Sequence, residues 1–379
     1  MRSLQDVVDQ QCDSGTVPGA VAVVANRDDV NVAVGGSGTT GGAPLTRNSL
    51  FRIASATKPI VAAATMALLE RGRFDLDDPV RRWLPELADP VVLRAVDGPV
   101  DDTVPAERPI TVRHLLTLQA GHGFPADFSA PVVARLAEDL HQGPPRPAAV
   151  PPPEEWMARL ARIPLLHQPG EGWTYNTGSD ILGVLLARVE DSPLEAVLAD
   201  TILDPLDMAD TGFCVPATQL DRMTSLYRRD ENNEGLTLVD PPDGQWATEP
   251  VFPSGAAGLV STVDDWLAFG RMLLAHGQHR GRTVLAAESV RLMTTSHTEA
   301  EPDNPFLQGH GWGFGASVDL HPSEPWNVPG RYGWIGGTGT AGYIIPTTGT
   351  TAIWMSQVEL GGPDDFVPLS AFLTRAAQH

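Results

Sequence analysis

The sequence predicts an α+β fold in which the two ends of the chain form one antiparallel sheet around a mostly helical middle. Strand-like segments occur early, at residues 20–25 and 30–34, and late, at residues 313–318 and 342–355. Between them the 379-residue chain carries mainly helical patterns. Strands that meet from both ends around a helical insertion form two lobes, and we expect the active site at the lobe junction.

These segments divide the chain into a sheet lobe of residues 1–84 and 251–379 and a mostly helical lobe of residues 85–250. No internal repeat is evident. A proline-rich stretch at residues 143–153 is interpreted as a stiff loop, because the helical segment 154–162 follows it directly.

Composition and charge exclude several kinds of partner. The chain has 26 basic and 47 acidic side chains and a formal charge of -21 at pH 7. This charge repels phosphate backbones and anionic lipids, so neither nucleic acid nor a membrane is expected as a partner. The longest apolar runs, residues 60–69 and 181–189, are shorter than the ~20 residues needed to cross a bilayer.

The location of the protein is also predicted from its first residues and its cysteines. Asp6 and Asp9 interrupt the apolar core that a signal peptide requires. The 2 cysteines, Cys12 and Cys214, are too few for a disulfide framework, although the sequence does not rule out a single disulfide between them. We therefore expect a soluble cytoplasmic protein.

The basic residues single out one candidate catalytic group. Of the 26 basic residues only Lys58 is a lysine. Arginine stays charged, whereas burial and neighbours lower the pKa of a lysine until it exchanges a proton. Lys58 follows Ser55 by three residues at the start of an apolar helical run that ends near Leu69. On a helix this spacing puts the hydroxyl and the amine on one face, as a nucleophile and its base require.

A second candidate is Tyr175, one of 4 tyrosines, in the glycine-flanked turn before the helix predicted over residues 181–189. A phenol near Lys58 would be partly ionised by that cation and would relay the serine proton to a leaving group. The alternative is a core tyrosine whose hydroxyl is satisfied by a backbone carbonyl.

A third segment, residues 331–340, combines Trp334 with Gly336, Gly337 and Gly339 ahead of two strand-like stretches. Glycines let a substrate carbonyl approach the backbone closely, and an N–H group near Gly337 would supply an oxyanion donor beside that of Ser55. As structure alone, the segment is a hairpin with a packed tryptophan. No HExxH, P-loop or GxSxG motif is present, so those enzyme classes are set aside.

Together the three segments resemble the serine β-lactamase and penicillin-binding-protein superfamily, and most closely its class C-like esterase branch, the family VIII carboxylesterases. Further similar motifs lie at residues 18–21, 76–80, 110–117 and 258–262. The resemblance implies a β-lactamase/transpeptidase-like fold with helices at residues 4–12 and 369–377 covering the sheet. It also implies Ser55 as acyl-enzyme nucleophile, Lys58 as base and Tyr175 as acid/base partner, with residues 334–337 in place of the KTG strand.

Two departures from the superfamily pattern bear on the substrate. The YxN motif is altered, because the asparagine comes one position early at Asn176 and Thr177 stands in its place. The KTG lysine, whose cation binds a substrate carboxylate, is replaced by Trp334. We therefore expect Trp334, Gly336, Asn176 and Thr177 to line the substrate site and neutral esters to be preferred.

The sequence thus predicts a cofactor-free and metal-free serine carboxylesterase that acts on a small-molecule ester. Amide or acyl-transfer chemistry in the same site, as in a β-lactamase, a peptidase or an acyltransferase, stays open. So does a non-catalytic protein that binds an acyl ligand. The natural substrate, the oligomeric state and the choice between Lys58 and Tyr175 as base in acylation are not determined by the sequence.

Overall fold

In the computed structural model, which describes residues 3–26, 29–230, 235–301 and 304–378, a seven-stranded antiparallel sheet joins the two ends of the chain. The described residues form fifteen strands: β1 (Gly19–Ala25), β2 (Val30–Gly36), β3 (Phe51–Arg52), β4 (Val91–Leu93), β5 (Thr103–Pro105), β6 (Leu226–Arg229), β7 (Leu236–Asp240), β8 (Val260–Ser261), β9 (Gln278–His279), β10 (Arg282–Thr283), β11 (His310–Trp312), β12 (Ser317–Asp319), β13 (Tyr332–Gly336), β14 (Thr340–Ile345) and β15 (Thr350–Met355).

The same residues form ten α-helices: α1 (Leu4–Asp13), α2 (Lys58–Glu70), α3 (Val112–Leu116), α4 (Pro131–Leu140), α5 (Pro153–Leu160), α6 (Thr177–Glu190), α7 (Leu194–Leu198), α8 (Val263–Leu274), α9 (Ala287–Thr294) and α10 (Pro363–Ala376). No helix within the described ranges has the length and apolar character that crossing a membrane requires.

The strand order of the main sheet is β11-β12-β13-β14-β15-β1-β2. Strand β1 pairs with β15 in the register Val23↔Ile353, so the amino-terminal hairpin extends a sheet that the carboxyl-terminal strands begin. The predicted α+β class with one antiparallel sheet from both chain ends is confirmed. Between residues 85 and 250 the described chain forms α3–α7 and two short strand pairs, β4–β5 and β6–β7.

Alternation along β1 divides the core between the two faces of the sheet. Val21 and Val23 belong to the larger apolar cluster with α2 and α8, whereas Ala22 and Val24 belong to a second cluster with α1 and α10. Successive side chains of a strand point to opposite faces, so a strand buried on both faces is apolar throughout. Helices cover both faces, including the two terminal helices that the resemblance implies.

Helix α2 is the central helix of the larger cluster. Every residue from Lys58 to Leu68 is buried, as expected for a helix whose sequence is apolar on all sides. This burial places the only lysine of the chain away from water and fixes the helix that carries it.

Two local predictions are corrected by the structure. The strand predicted over residues 313–318 is a hairpin, since β11 ends at Trp312 and β12 begins at Ser317, with Gly315 at φ +80° in the turn. That φ lies in the left-handed region that glycine adopts at little cost. The helix predicted to begin at Ser55 begins instead as a 3₁₀ turn, Ala54–Thr57, which continues into α2 at Lys58.

Candidate active site

The nucleophile candidate lies at a sharp junction between strand and helix. After β3 the chain turns at Ala54, a non-glycine residue with φ +42°, and enters the 3₁₀ turn that carries Ser55. Positive φ at alanine costs conformational energy and persists only where the surroundings impose it. Here the side chains of Thr338 and Thr340 donate to the carbonyl oxygens of Arg52 and Ile53, at 2.5 and 3.0 Å. These bonds fix the strand before Ser55 against the turn that follows β13.

Three of the predicted residues meet at one oxygen atom. Lys58 Nζ lies 2.9 Å from Ser55 Oγ, and the Tyr175 hydroxyl also lies 2.9 Å from it. Ser55 is 8% exposed and Lys58 only 1%. The serine is therefore the more accessible group of this pair, and the amine lies behind it.

Burial decides the charge of Lys58. Its Nζ donates to Ser55 Oγ, to Asn176 Oδ1 (2.8 Å) and to the carbonyl oxygen of Ala256 (2.9 Å). Desolvation lowers the pKa of Lys58 to about 7, against an opposing contribution from the Asp180 carboxylate. A lysine with this pKa is present in useful amounts as the neutral amine, which is the form that accepts a proton.

The turn that carries Tyr175 is held by backbone hydrogen bonds to the segment around Phe124. Tyr175 and Phe124 exchange two backbone hydrogen bonds of 2.9 Å. This approach requires glycine at position 123, because φ is +146° there and a Cβ atom would lie 2.4 Å from the Tyr175 carbonyl oxygen. Tyr175 also stacks on Phe306, with ring centroids 4.4 Å apart.

The charge expected for Tyr175 is corrected. The sequence suggested a phenol partly ionised by Lys58, but burial raises the pKa of Tyr175 to about 12. Trp334 Nε1 donates to the phenol oxygen at 2.7 Å, which leaves the phenolic proton directed at Ser55. Tyr175 is therefore a neutral hydrogen-bond donor in the resting site. Trp334, expected to contact the substrate, uses its one N–H group on this tyrosine.

Asn176 and Thr177 differ from the expected substrate contacts. Asn176 has φ +83° and ψ -65°, and the Thr177 N–H bonds the Tyr175 carbonyl at 3.2 Å, which makes Asn176 the centre of a strained γ-turn. The turn aims the Asn176 side chain at Lys58, although it comes one position earlier than in YxN. Thr177 is fully buried and its hydroxyl donates to Gln142 at 2.6 Å, so it faces the interior instead of a substrate.

The two glycines of β13 and the following turn have different surroundings. A Cβ atom at Gly336 would lie 2.2 Å from the Ile53 carbonyl oxygen, so the side-chain direction of this glycine packs against the segment that precedes Ser55. At Gly337 the Cβ direction is open, with no atom within 4 Å. The open backbone at Gly337 is where a substrate carbonyl has room to approach.

Sequence reasoning missed three groups that surround Lys58, namely Gln142, Asp180 and the Ala256 backbone. Asp180 is buried and accepts from Ser254 Oγ at 2.6 Å and from Gln142 Nε2 at 2.8 Å. Burial raises its pKa. A lone carboxylate at the start of an apolar helix is a signal that was present in the sequence. Gln142 and Ala256 carry no such signal, because only the folded chain brings them to Lys58.

The described residues contain no group of three His, Cys, Asp or Glu side chains arranged to hold a metal ion. Two histidines of the middle region each bond a backbone carbonyl: the buried His122 bonds Ile163 and the half-buried His167 bonds Gln168. Neither bonds any of the residues that meet at Ser55.

Comparison with known proteins identifies the family. A family model described as Beta-lactamase matches residues 4–371. Protein Rv1367c of Mycobacterium tuberculosis is 38% identical, over 93% of this chain and 89% of its own length. Esterase EstB of Burkholderia gladioli is 30% identical, over 95% of this chain and 91% of its own.

Among solved structures, EstCE1, described as a hydrolase with promiscuous acyltransferase activity, superposes with a TM-score of 0.77 and 24% identity. It covers 99% of this chain and 97% of its own. This likeness shows a common β-lactamase-type fold. The chain belongs to the β-lactamase family of serine hydrolases and is similar to members that are esterases and acyltransferases.

Proposed function

We propose that the protein hydrolyses uncharged carboxylic esters through an acyl-enzyme intermediate on Ser55. One observation carries this proposal: Ser55 Oγ is bonded at 2.9 Å both to an amine with a pKa of about 7 and to a neutral phenol. A nucleophile needs an adjacent base, and a leaving alkoxide needs an adjacent acid. The two pKa values favour Lys58 as the base in acylation and Tyr175 as the acid.

In acylation, neutral Lys58 takes the Ser55 proton while Oγ forms a bond to the ester carbonyl carbon. The oxyanion is stabilised by the N–H groups of Ser55 and Gly337. The bond to the alcohol oxygen then breaks, and Tyr175 gives its phenolic proton to the leaving alkoxide. Lys58 is now an ammonium group and Tyr175 a phenolate, so the two charges stabilise each other.

In deacylation, the phenolate of Tyr175 takes a proton from water and the resulting hydroxide attacks the acyl carbon. The bond to Ser55 Oγ breaks, and the Lys58 ammonium group returns the proton to the serine. The free carboxylic acid departs. Every group is restored to its resting protonation state without a cofactor.

The preference for uncharged esters rests on Trp334. It stands where the family's KTG lysine would bind a carboxylate, and its only polar hydrogen is donated to Tyr175. Lys58 is the only lysine in the chain and is occupied by Ser55, Asn176 and Ala256. A carboxylate-bearing β-lactam or peptide would therefore lack the cation that the wider family supplies.

The test is hydrolysis of p-nitrophenyl butyrate by the wild type and by Ser55→Ala, with Ser14→Ala as an exposed control far from the site. We expect turnover in the wild type and the control and loss of turnover in Ser55→Ala, with circular dichroism unchanged. Turnover that persists in Ser55→Ala would show that another residue is the nucleophile. Turnover of nitrocefin at the rate of the ester would overturn the preference for uncharged esters.

Acyl transfer is the second candidate, because similar proteins include acyltransferases and EstCE1 is described as having both activities. In that reaction an alcohol replaces water, so its oxygen attacks the acyl carbon and its proton passes to Tyr175. The measurement is the ratio of butyl ester to free acid when 1-butanol is added to the assay. A ratio that stays at zero would exclude transfer to simple alcohols.

A further inference from the structure

Behind the reacting groups, hydrogen bonds connect Lys58 to the buried carboxylate of Asp180 along two routes. In the first, Lys58 Nζ donates to Asn176 Oδ1 at 2.8 Å. Asn176 Nδ2 donates to Gln142 Oε1 at 3.3 Å, and Gln142 Nε2 donates to Asp180 Oδ2 at 2.8 Å. In the second, Lys58 Nζ donates to the Ala256 carbonyl at 2.9 Å, and the Ala256 N–H donates to Asp180 Oδ1 at 3.0 Å. The two routes close into a ring in which the donors point toward the carboxylate.

This ring sets the direction of the electron pair of Lys58. The neutral amine has two N–H bonds and one electron pair. Asn176 Oδ1 and the Ala256 carbonyl are acceptors only, so they take the two N–H bonds. The ammonium form donates its third N–H to Ser55 Oγ, 2.9 Å away, whereas the neutral amine has only its electron pair left for the Ser55 hydroxyl. A base that is already aimed at its proton needs no reorientation during the reaction.

We propose that Gln142 and Asp180 are positioning residues of this site, which hold the Asn176 amide and the Ala256 carbonyl so that the electron pair of neutral Lys58 points at Ser55 Oγ. The inference rests on the function proposed above. Neither residue touches Ser55, and both act through the two acceptors of Lys58.

Gln142 fixes which end of the Asn176 amide faces the lysine. Its Oε1 accepts from both Asn176 Nδ2 and the Thr177 hydroxyl, at 3.3 and 2.6 Å. With the nitrogen end of Asn176 held there, the oxygen end faces Lys58. The Asp180 carboxylate accepts only, so it selects the Nε2 side of Gln142 and prevents a flip of that amide.

Asp180 is the carboxylate of this ring, and the Arg146 side chain also lines the cavity beside it. Asp180 receives three donors, from Ser254, Ala256 and Gln142, and these hydrogen bonds oppose the rise in its pKa that burial causes. The titratable groups that face Lys58 are Asp180 from α6 and Tyr175 from the turn before it. Lys58 is the charged group that faces Asp180, and His141 lines the adjoining cavity.

Packing alone does not hold these side chains. A small cavity of about 40 Å³ borders the ring and is lined by Gln142, Asn176 and Asp180, together with His141, Arg146, Ser254 and apolar residues. Side chains beside a cavity are held less tightly by packing, so the hydrogen bonds of Gln142 contribute to keeping it in place. The loss of those bonds is therefore expected to disorder the ring without unfolding the chain.

The experiment compares the wild type with Gln142→Met, Asp180→Asn and the control His141→Asn. Methionine keeps the length of the Gln142 side chain but lacks the amide oxygen and the amide nitrogen that form the hydrogen bonds. His141 is in the same loop, takes no part in the ring, and has φ +53°, which asparagine tolerates. We measure kcat and KM for p-nitrophenyl butyrate, the pH profile, and the rate at which a fluorophosphonate labels Ser55.

For Gln142→Met we expect kcat and the labelling rate to fall about 10- to 100-fold, because general-base assistance is worth about 10²- to 10⁴-fold and is only partly lost. KM should change by less than about 3-fold if binding contacts are intact. Asp180→Asn should lower both rates and move the acid limb of the profile to lower pH, because the negative charge that favours the Lys58 cation is gone. The control should match the wild type.

Wild-type rates and an unshifted profile in both ring variants would overturn the inference while leaving the esterase intact. A wild type that turns over no ester would instead overturn the proposed function, and the labelling rates would still test the ring. If Gln142→Met does not fold, Thr177→Val serves as the test instead. It removes only the hydroxyl that donates a hydrogen bond to Gln142 Oε1. Unchanged labelling of a folded Thr177→Val would also overturn the inference.

Discussion

Trp334 Nε1 donates a hydrogen bond of 2.7 Å to the hydroxyl oxygen of Tyr175. Trp334, which the resemblance places at the position of the KTG lysine, thus bonds the proposed acid/base partner instead of supplying a cation. Because the phenol oxygen accepts from the indole, its own proton is directed at Ser55. In the proposed mechanism, Trp334 therefore orients the proton donor and supplies no charge for a substrate carboxylate.

Trp334→Phe is expected to lower kcat/KM by about 3- to 10-fold, since it removes one hydrogen bond worth about 1 kcal/mol net. The matched control is Trp312→Phe, because Trp312 packs against Trp334 with ring centroids 4.9 Å apart but its buried N–H bonds none of the described residues. Steady-state kinetics on p-nitrophenyl butyrate measures both. Equal losses in the two variants would show that ring packing, and not the N–H group, is what matters.

The activity should depend on pH through Lys58. Burial lowers the pKa of this lysine to about 7, and only the neutral amine accepts the Ser55 proton. The neutral fraction increases as pH rises, so kcat/KM is expected to rise through about pH 7 and then level off. Tyr175, with its pKa raised to about 12, stays protonated across this range and adds no falling limb near neutrality. A profile that is flat through neutral pH would contradict Lys58 as the base.

The buried pair of Arg52 and Asp240 is expected to be important for stability. Both side chains are less than 5% exposed, and Arg52 also donates to the carbonyl oxygens of Thr224 and Pro241. Asp240→Ala leaves a buried cation without its partner and should lower the free energy of unfolding by about 3 to 5 kcal/mol.

The control for this change is Arg47→Ala, whose pair with Asp264 is 48% and 46% exposed. An exposed ion pair contributes about 0 to 1 kcal/mol, so its loss should be small. Urea unfolding followed by circular dichroism measures both variants. A loss for Asp240→Ala no larger than for Arg47→Ala would mean that the buried pair contributes little.

Adjacent glycines at the end of β13 and just beyond it should respond in opposite ways to alanine. In Gly336→Ala the new Cβ would lie 2.2 Å from the Ile53 carbonyl, so β13 must move away from the strand before Ser55. The oxyanion donors would separate, and kcat should fall by at least about 100-fold. Gly337→Ala has open space and should melt at the wild-type temperature. Wild-type kcat in Gly336→Ala would show that the two strands shift together.

Much of the candidate site was predictable because its signals are local. Ser55 and Lys58 are three residues apart on one turn, and a lone lysine among arginines marks a position with special chemistry. The strands at the two ends were also predictable from their β-branched runs. The prediction for residues 313–318 was wrong because the turn between β11 and β12 contains apolar residues, Phe314 and Ala316, that are buried like those of a strand.

The charge of Tyr175 was not predictable, because it depends on two opposing effects of the folded environment. A nearby cation lowers the pKa of a phenol, whereas desolvation raises it, and only the burial in the folded chain decides between them. The contact between Asn176 and Lys58 was not predicted for a related reason. A sequence motif fixes the order of residues but not the φ of +83° that turns this side chain toward Lys58.

The sequence by itself determined the fold class, the family resemblance, and the identity of the residues that meet at Ser55. It did so because β-strand and helix periodicity and the SxxK spacing depend on neighbours along the chain. Only the tertiary structure decided what surrounds those residues: the ring through Gln142 and Asp180, the bond from Trp334 to Tyr175, and the burial that sets two pKa values. These features join residues 34 to 198 positions apart, which no local pattern encodes, because they exist only when separate elements pack together.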